Sequence, residues 1–185
     1  MVDRVMRAVR LDATLYREVA ENKDTMTEAT TIVVVVTLLS ALGSAVGSLL
    51  AKASAGSVIG GFFLNWILGI LIGWIGWAIL TYLVGTLLFK GQTDIPEMMR
   101  VLGYASAPRL LGIFGVIPCL GWIASLIGAI LALVAGVIAI REAMEFDTGK
   151  AVITVIISWI IAFAITFALG LVIGGGAAIA SGLRG

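Results

Sequence analysis

The chain contains no histidine, a single cysteine (Cys119) and three prolines, and only 12% of its 185 residues are charged. Without an imidazole there is no histidine base, proton relay or metal ligand, so Ser–His and Cys–His nucleophilic sites and histidine-held metals are excluded. One cysteine cannot close a disulfide within the chain. A formal net charge of +1 gives no bulk attraction to nucleic acid, which is not expected as a partner. What fills the space is apolar: 61% of the residues are hydrophobic and the mean hydropathy is +1.14. Soluble domains carry roughly a quarter charged residues. The 23 glycines also suit membrane helices, which tolerate glycine better than soluble ones. The composition is that of an integral membrane protein.

The few charges partition sharply. None occurs from Ala29 to Ala51, from Ala53 to Phe89, or from Ala151 to Leu183, and Arg109 is the only one inside the stretch Arg100 to Arg141. A helix crossing the roughly 30 Å hydrocarbon layer needs about 20 apolar residues. The pattern predicts spans over about 31–50, 59–89, 97–117, 122–140 and 150–173, the third and fourth separated by the turn Pro118-Cys119-Leu120-Gly121. The expected fold is therefore all-α, a polytopic five-transmembrane-helix bundle. With five spans, Arg4, Arg7, Arg10, Arg17, Lys23, Lys90, Arg100, Arg141 and Lys150 share one face, against Lys52 and Arg184 on the other. Positive charge marks the cytoplasmic side, so the N-terminus is expected inside and the C-terminus outside. A four-span arrangement with a re-entrant third segment exports Arg141 and Lys150 and is disfavoured.

The N-terminus has no signal-peptide core or cleavage site. Instead Val2, Val5, Met6, Val9, Ala13, Tyr16 and Ala20 fall at i, i+3 and i+4 spacing, with Arg4, Arg7, Arg10 and Glu18 off that face. This predicts an amphipathic interfacial helix of about five turns, its stripe buried in headgroups or packed on the ends of the bundle. The expected organisation is a cytoplasmic helix and connector over 1–28, the membrane domain over 29–176 and a short extracytoplasmic tail over 177–185. Between helices in lipid, small residues mark close contacts. Ser40, Gly43, Ser44, Gly47 and Ser48 in the first span, Gly69 and Gly73 in the second, and Ala124, Gly128, Ala132 and Gly136 in the fourth are such candidates.

Two features carry chemistry. Arg109 lies nine residues past Arg100, about 13 Å deeper on a helical rise, and a mid-membrane arginine costs on the order of 2.5–3.5 kcal/mol. Pro108 just before it removes the helical bond to Tyr104 and breaks the helix, freeing carbonyls near Tyr104 and Ala105 to accept from the guanidinium. This reads as an anion or headgroup site at a helix break, or as an arginine snorkelling to the cytoplasmic interface. The second feature is a charged rim at the cytoplasmic helix ends: Lys90, Asp94, Glu97, Arg100, Arg141, Glu142, Glu145, Asp147 and Lys150. Thr93 or Asp94, ahead of Pro96 in a first turn, and Asp147 or Thr148 are expected helix caps, and Arg141 and Glu145 an i, i+4 pair. The rest is a docking surface for a cytosolic partner. Catalytic constellations do not emerge. Gly149-Lys150-Ala151 lacks the glycine and hydroxyl of a phosphate loop, the spans hold no paired aspartates, and no metal or cofactor set is legible.

Several segments together resemble a known family. These are Gly85-Thr86-Leu87-Leu88-Phe89-Lys90-Gly91; Arg100-Val101-Leu102-Gly103-Tyr104-Ala105-Ser106-Ala107-Pro108; Pro118-Cys119-Leu120-Gly121; Ala139-Ile140-Arg141-Glu142-Ala143; and Thr148-Gly149-Lys150-Ala151. They are similar, over about 12–162, to the prokaryotic branch of the Yip (Ypt-interacting protein) family. The resemblance implies five membrane helices with a cytoplasmic N-terminus, and no catalytic role. Eukaryotic relatives lie in Golgi and ER membranes, bind prenylated Rab-type GTPases, oligomerise and take part in vesicle traffic. The matching positions here are Arg100, Tyr104, Pro108, Arg141 and Lys150. The expected function is a non-enzymatic scaffold in a prokaryotic plasma membrane, forming homo-oligomers and recruiting a cytosolic protein or organising lipid. Its binding candidates are Arg100, Tyr104, Arg109, Arg141, Glu142 and Lys150. The alternative is a small channel or transporter for an anion or a phosphate-bearing solute or lipid, built on Arg109.

Overall fold

A computed structural model describes residues 1–116 and 121–182, and the described residues are helical with no strand. The helices are α1 (Val2–Val9), α2 (Ala13–Glu21), α3 (Met26–Leu50), α4 (Ala55–Ile70), α5 (Trp77–Phe89), α6 (Ile95–Ala105), α7 (Gly121–Ala143) and α8 (Thr148–Gly182). A π-helical segment, Leu71–Gly76, joins α4 to α5 without interruption, and a 3-10 segment, Ala107–Val116, follows α6. Short polar side chains start the helices where the sequence places them. Asp12 accepts from Thr14 N–H, Ser54 from Ser57 N–H, Asp94 from Glu97 N–H and Asp147 from Lys150 N–H, each filling an orphan donor of a first turn. Four reversals turn on non-glycine residues in the left-handed region: Leu11, Lys52, Lys90 and Glu145, with φ of 61°, 57°, 58° and 53°.

Four helical stretches are long and apolar enough to cross a membrane: Lys23–Leu50, Ala55–Phe89, Ile123–Ala143 and Thr148–Ile165. The expected fifth, over 97–117, is not one helix. Pro108 has no N–H to donate and its ring clashes with the carbonyl four residues back, so α6 ends at Ala105 after 11 residues and the chain continues as the 3-10 segment. The turn at 118–121 falls largely outside the described residues, as does Cys119.

The N-terminal expectation also changes. The segment is helical but divided at Leu11, and of the expected stripe only Tyr16 and Ala20 are buried, while Val2 and Met6 are exposed; Ala8, Leu15 and Val19, outside that stripe, complete the face that protein covers. Ala8, Leu15, Tyr16 and Val19 are fully buried in one cluster with Met98, Val101 and Tyr104 of α6 and Ile140 of α7. A period of 3.6 shows that a face is covered, not what covers it. Asp12 restarts the helix and Arg7 ties α1 back to it, so α1 and α2 fold as a hairpin against the bundle instead of one rod along the bilayer.

This cluster places the protein's own core at one end, where α1, α2, α6 and the ends of α5, α7 and α8 converge. Away from it the bundle is looser. Large apolar side chains such as Leu64, Ile130, Trp159 and Phe163 face outward, and a Cβ added to Gly43, Gly47 or Gly136 would meet nothing within 4 Å. Lipid chains cover such faces without a cost, since lipid is as apolar as they are. Where glycine does permit close approach, it is specific. A Cβ on Gly103 would lie 2.9 Å from Ala29 Cβ, and one on Gly128 2.9 Å from the Pro108 carbonyl.

Candidate functional site

The charged end is assembled largely from residues of one short motif. On α6, Arg100, Gly103 and Tyr104 share a face at i, i+3 and i+4. Arg100 is buried. Its Nε donates to the Val19 carbonyl at 3.1 Å and its Nη2 to the Ala20 carbonyl at 2.6 Å. Those are carbonyls of the last turn of α2, which lack helical partners and carry the negative end of the helix dipole. A buried guanidinium is thus compensated by a helix terminus. Gly103 lets α6 touch α3 at Ala29, and Tyr104 donates to Glu28 Oε2 at 2.5 Å. Glu28 also accepts from Arg4 at 3.2 Å. The motif therefore holds α1, α2 and α3 together.

A second set of ion pairs closes the hairpin. Arg4 and Arg7 both reach Glu18, at 2.9 and 2.7 Å, and Arg7 donates to Asp12 at 2.8 Å. The Thr14 hydroxyl, with Arg7, holds the Asp12 carboxyl well below its ordinary range, at about 2. Arg7 and then Arg4 lower Glu18 in the same sense, and burial pushes the Tyr16 hydroxyl up. None of these groups is poised for proton transfer near neutrality.

Beside the hairpin lies a recess of about 610 Å³, lined by Arg17, Glu21, Glu97, Arg141, Glu142 and Phe146 among others. Glu142, 7% exposed, accepts from Arg17 at 2.7 Å and from its neighbour Arg141 at 2.7 Å. The expected Arg141–Glu145 pair does not form. Helix α7 ends at Ala143 and Glu145 takes a left-handed backbone, which destroys the i, i+4 geometry. Lys150 is half exposed, 3.7 Å from Asp147 and 5.9 Å above the Phe146 ring.

The candidates thus divide. Arg100, Tyr104 and Glu142 are engaged in holding elements together, whereas Arg141 and Lys150 keep exposed surface at the same end. Arg109 stands apart, on a cleft between α3, α4 and α7, and among the described residues its guanidinium makes no hydrogen bond, to Tyr104 or Ala105 or any other carbonyl. Pro108 is the break, as expected. Reading the sequence did not single out Glu28, Arg4 or Arg17 as partners. Glu28 sits in a polar connector, and nothing local to it points at a tyrosine 76 positions away.

The pattern of membrane-length helices with this motif at their charged end agrees with a comparison against family models: the Yip1 domain matches residues 13–170. The chain belongs to the Yip family. It is a multi-pass membrane protein of that family, which is generally non-enzymatic. No curated protein and no solved structure matches the chain significantly.

Proposed function

We propose that this Yip protein is a non-enzymatic scaffold of a prokaryotic plasma membrane, with its charged end cytoplasmic, forming homo-oligomers and recruiting a cytosolic protein at that end. The observation that carries the reading is the recess. Its walls come from α2, α6, α7 and the α7–α8 connection, and it presents both signs of charge beside Phe146. Mixed charge around an aromatic anchor suits a protein partner better than a lipid surface, which asks for one sign. The one-sided placement of Lys and Arg supports the orientation.

Five crossings remain the preferred topology, the third being a broken one. Glu97 and Glu142 border the same recess, so α6 starts and α7 finishes at the charged end. With 23 residues, α7 begins roughly 34 Å away. A crossing by the stretch 95–116, part α-helix and part 3-10, fits that distance. Open space beside Gly43 and Gly47 on α3 supports contact with a second copy.

Chemical crosslinking in native membranes tests the proposal. It expects a homo-oligomer or a cytosolic adduct that is lost on joint Arg141→Glu and Lys150→Glu reversal. A solitary protein indifferent to the reversal overturns it. The second reading, a small channel or transporter for an anion, draws on Arg109 lining a cleft. Equal background flux from liposomes carrying wild type or Arg109→Ala removes it.

A further inference from the structure

The cleft that holds Arg109 begins just beyond the charged end, at Val33 and Gly136, and runs deeper into the bundle. It has a volume of about 230 Å³, opens to the outside of the chain with Ser40, Asn65 and Arg109 themselves exposed, and is bordered also by Thr37 of α3, Trp74 of the π-helical segment and Ala132 of α7. Two helices fix its depth. Thr37 is nine residues beyond Glu28 on α3, about 13 Å, and Gly128, against which Pro108 and Arg109 pack, is 13 residues before Arg141 on α7, about 20 Å.

At that depth no carboxylate is available. The sequence has no Asp or Glu between Glu28 and Asp94, none between Glu97 and Glu142, and none after Asp147. Every helix that borders the cleft therefore presents it with no negative charge. Of its other polar side chains, two keep a hydrogen to donate, although their oxygens can accept as well. Among the described residues the Ser40 hydroxyl makes no hydrogen bond, and Asn65 Nδ2 gives one hydrogen to the Gly61 carbonyl at 2.8 Å and keeps the other. Three further donors on the cleft are already used: the Ser106 hydroxyl donates to the Gly103 carbonyl at 2.7 Å, and Thr37 and Trp74 are engaged as well. Thr37 bonds back to the Val33 carbonyl at 2.8 Å and the Trp74 indole donates to the Met99 carbonyl at 2.9 Å.

The walls are also built to leave this space open. A Cβ on Gly69 would come within 3.2 Å of Thr37 Cγ2, so α3 and α4 approach closely just beside it. Trp74 projects from a π-helical segment, a rare geometry that recurs at binding sites because it re-aims side chains relative to an α-helix.

We propose that this cleft binds a phosphate oxyanion, held by the Arg109 guanidinium with Ser40 and Asn65 as further donors. A planar fork of N–H donors matches two oxygens of such a group. The same chemistry is offered by the phosphodiester of a phospholipid headgroup drawn into the bundle and by free inorganic phosphate. The site needs binding only and holds whether or not anything is transported. It is independent of the recess at the charged end.

The test uses the full chain in two arms. In nanodiscs containing equal phosphatidylglycerol and phosphatidylcholine, native mass spectrometry after detergent release counts phospholipid retained per protein. In a non-ionic detergent stripped of lipid, thermal unfolding is followed as inorganic phosphate is added, with chloride at matched ionic strength as reference. Retention of one phospholipid, reduced tenfold or more by Arg109→Gln, supports the proposal with a lipid source. A phosphate-dependent rise in Tm that Arg109→Gln abolishes supports it with a free source. Should Arg109→Gln not fold, the joint Ser40→Ala and Asn65→Leu variant decides, with at least a threefold loss expected in whichever arm responds. Wild type that responds in neither arm, or responses untouched by these substitutions, overturn it.

Discussion

Replacing Arg100 with methionine isolates the link between the N-terminal hairpin and the membrane bundle. Methionine keeps most of the volume and helix preference of arginine while deleting the guanidinium. Two charge-assisted hydrogen bonds disappear, to the Val19 and Ala20 carbonyls, and both acceptors lie in a part of the structure closed to water. Bonds to charged groups contribute about 1.5–3 kcal/mol each, and part of that is recovered because a buried charge no longer has to be desolvated. A net loss of about 3 kcal/mol is expected, and it falls on docking of α2, whose carbonyls accept both of the hydrogen bonds that Arg100 donates. At 1.36 kcal/mol per tenfold change, the open population of the hairpin rises by roughly two orders of magnitude. Hydrogen exchange followed by mass spectrometry in detergent reads this directly. Amides of 13–21 should lose protection by about a hundredfold, with those of α7 unchanged. Arg100→Lys should fall between, since an ammonium cannot span both carbonyls with the same planar fork. Exchange in α2 that stays within threefold of wild type in a folded Arg100→Met protein would refute the assignment of Arg100 as the cap of α2.

Glycine positions differ in what they tolerate. Gly103→Ala sets a methyl 2.9 Å from Ala29 Cβ and 3.2 Å from the Ala29 carbonyl, so two helix backbones have to separate and a loss of about 1–3 kcal/mol is expected. Gly85→Ala meets the flexible end of Met144, which can swing aside, and should lower Tm less; thermal unfolding in detergent giving the opposite order would contradict the packing argument. Acid should release α1 before it disturbs the spans. Asp12 and Glu18 have folded pKa values below their unfolded ones of roughly 3.9 and 4.3, so the stability they lend is complete above that range and is lost as pH falls toward 2. Protection of α1 amides, corrected for intrinsic exchange rates, should decline through that window, and protection that stays flat to pH 2 would show that the carboxylates do not hold the hairpin.

Composition and spacing determined the character of this protein. Charge-free runs longer than a bilayer is thick read as membrane helices, because an unpaired backbone in lipid is too costly, and the caps were legible to within one residue, Thr93 or Asp94 and Asp147 or Thr148, because a short side chain satisfies a first-turn donor locally. The break at Pro108 follows from the covalent structure of proline alone. Tertiary structure decided what those pieces face. An apolar stripe on α1 and α2 has the same period whether lipid or α6 lies against it, and only the packing puts Tyr16 and Ala20 inside the protein and leaves Val2 and Met6 outside. Arg100 and Arg109 look alike in the sequence, two arginines flanking one motif, yet one is answered by the carbonyls of α2 while the other, among the described residues, meets no acceptor. That difference arises from contacts between residues 80 positions apart, and no local pattern encodes them.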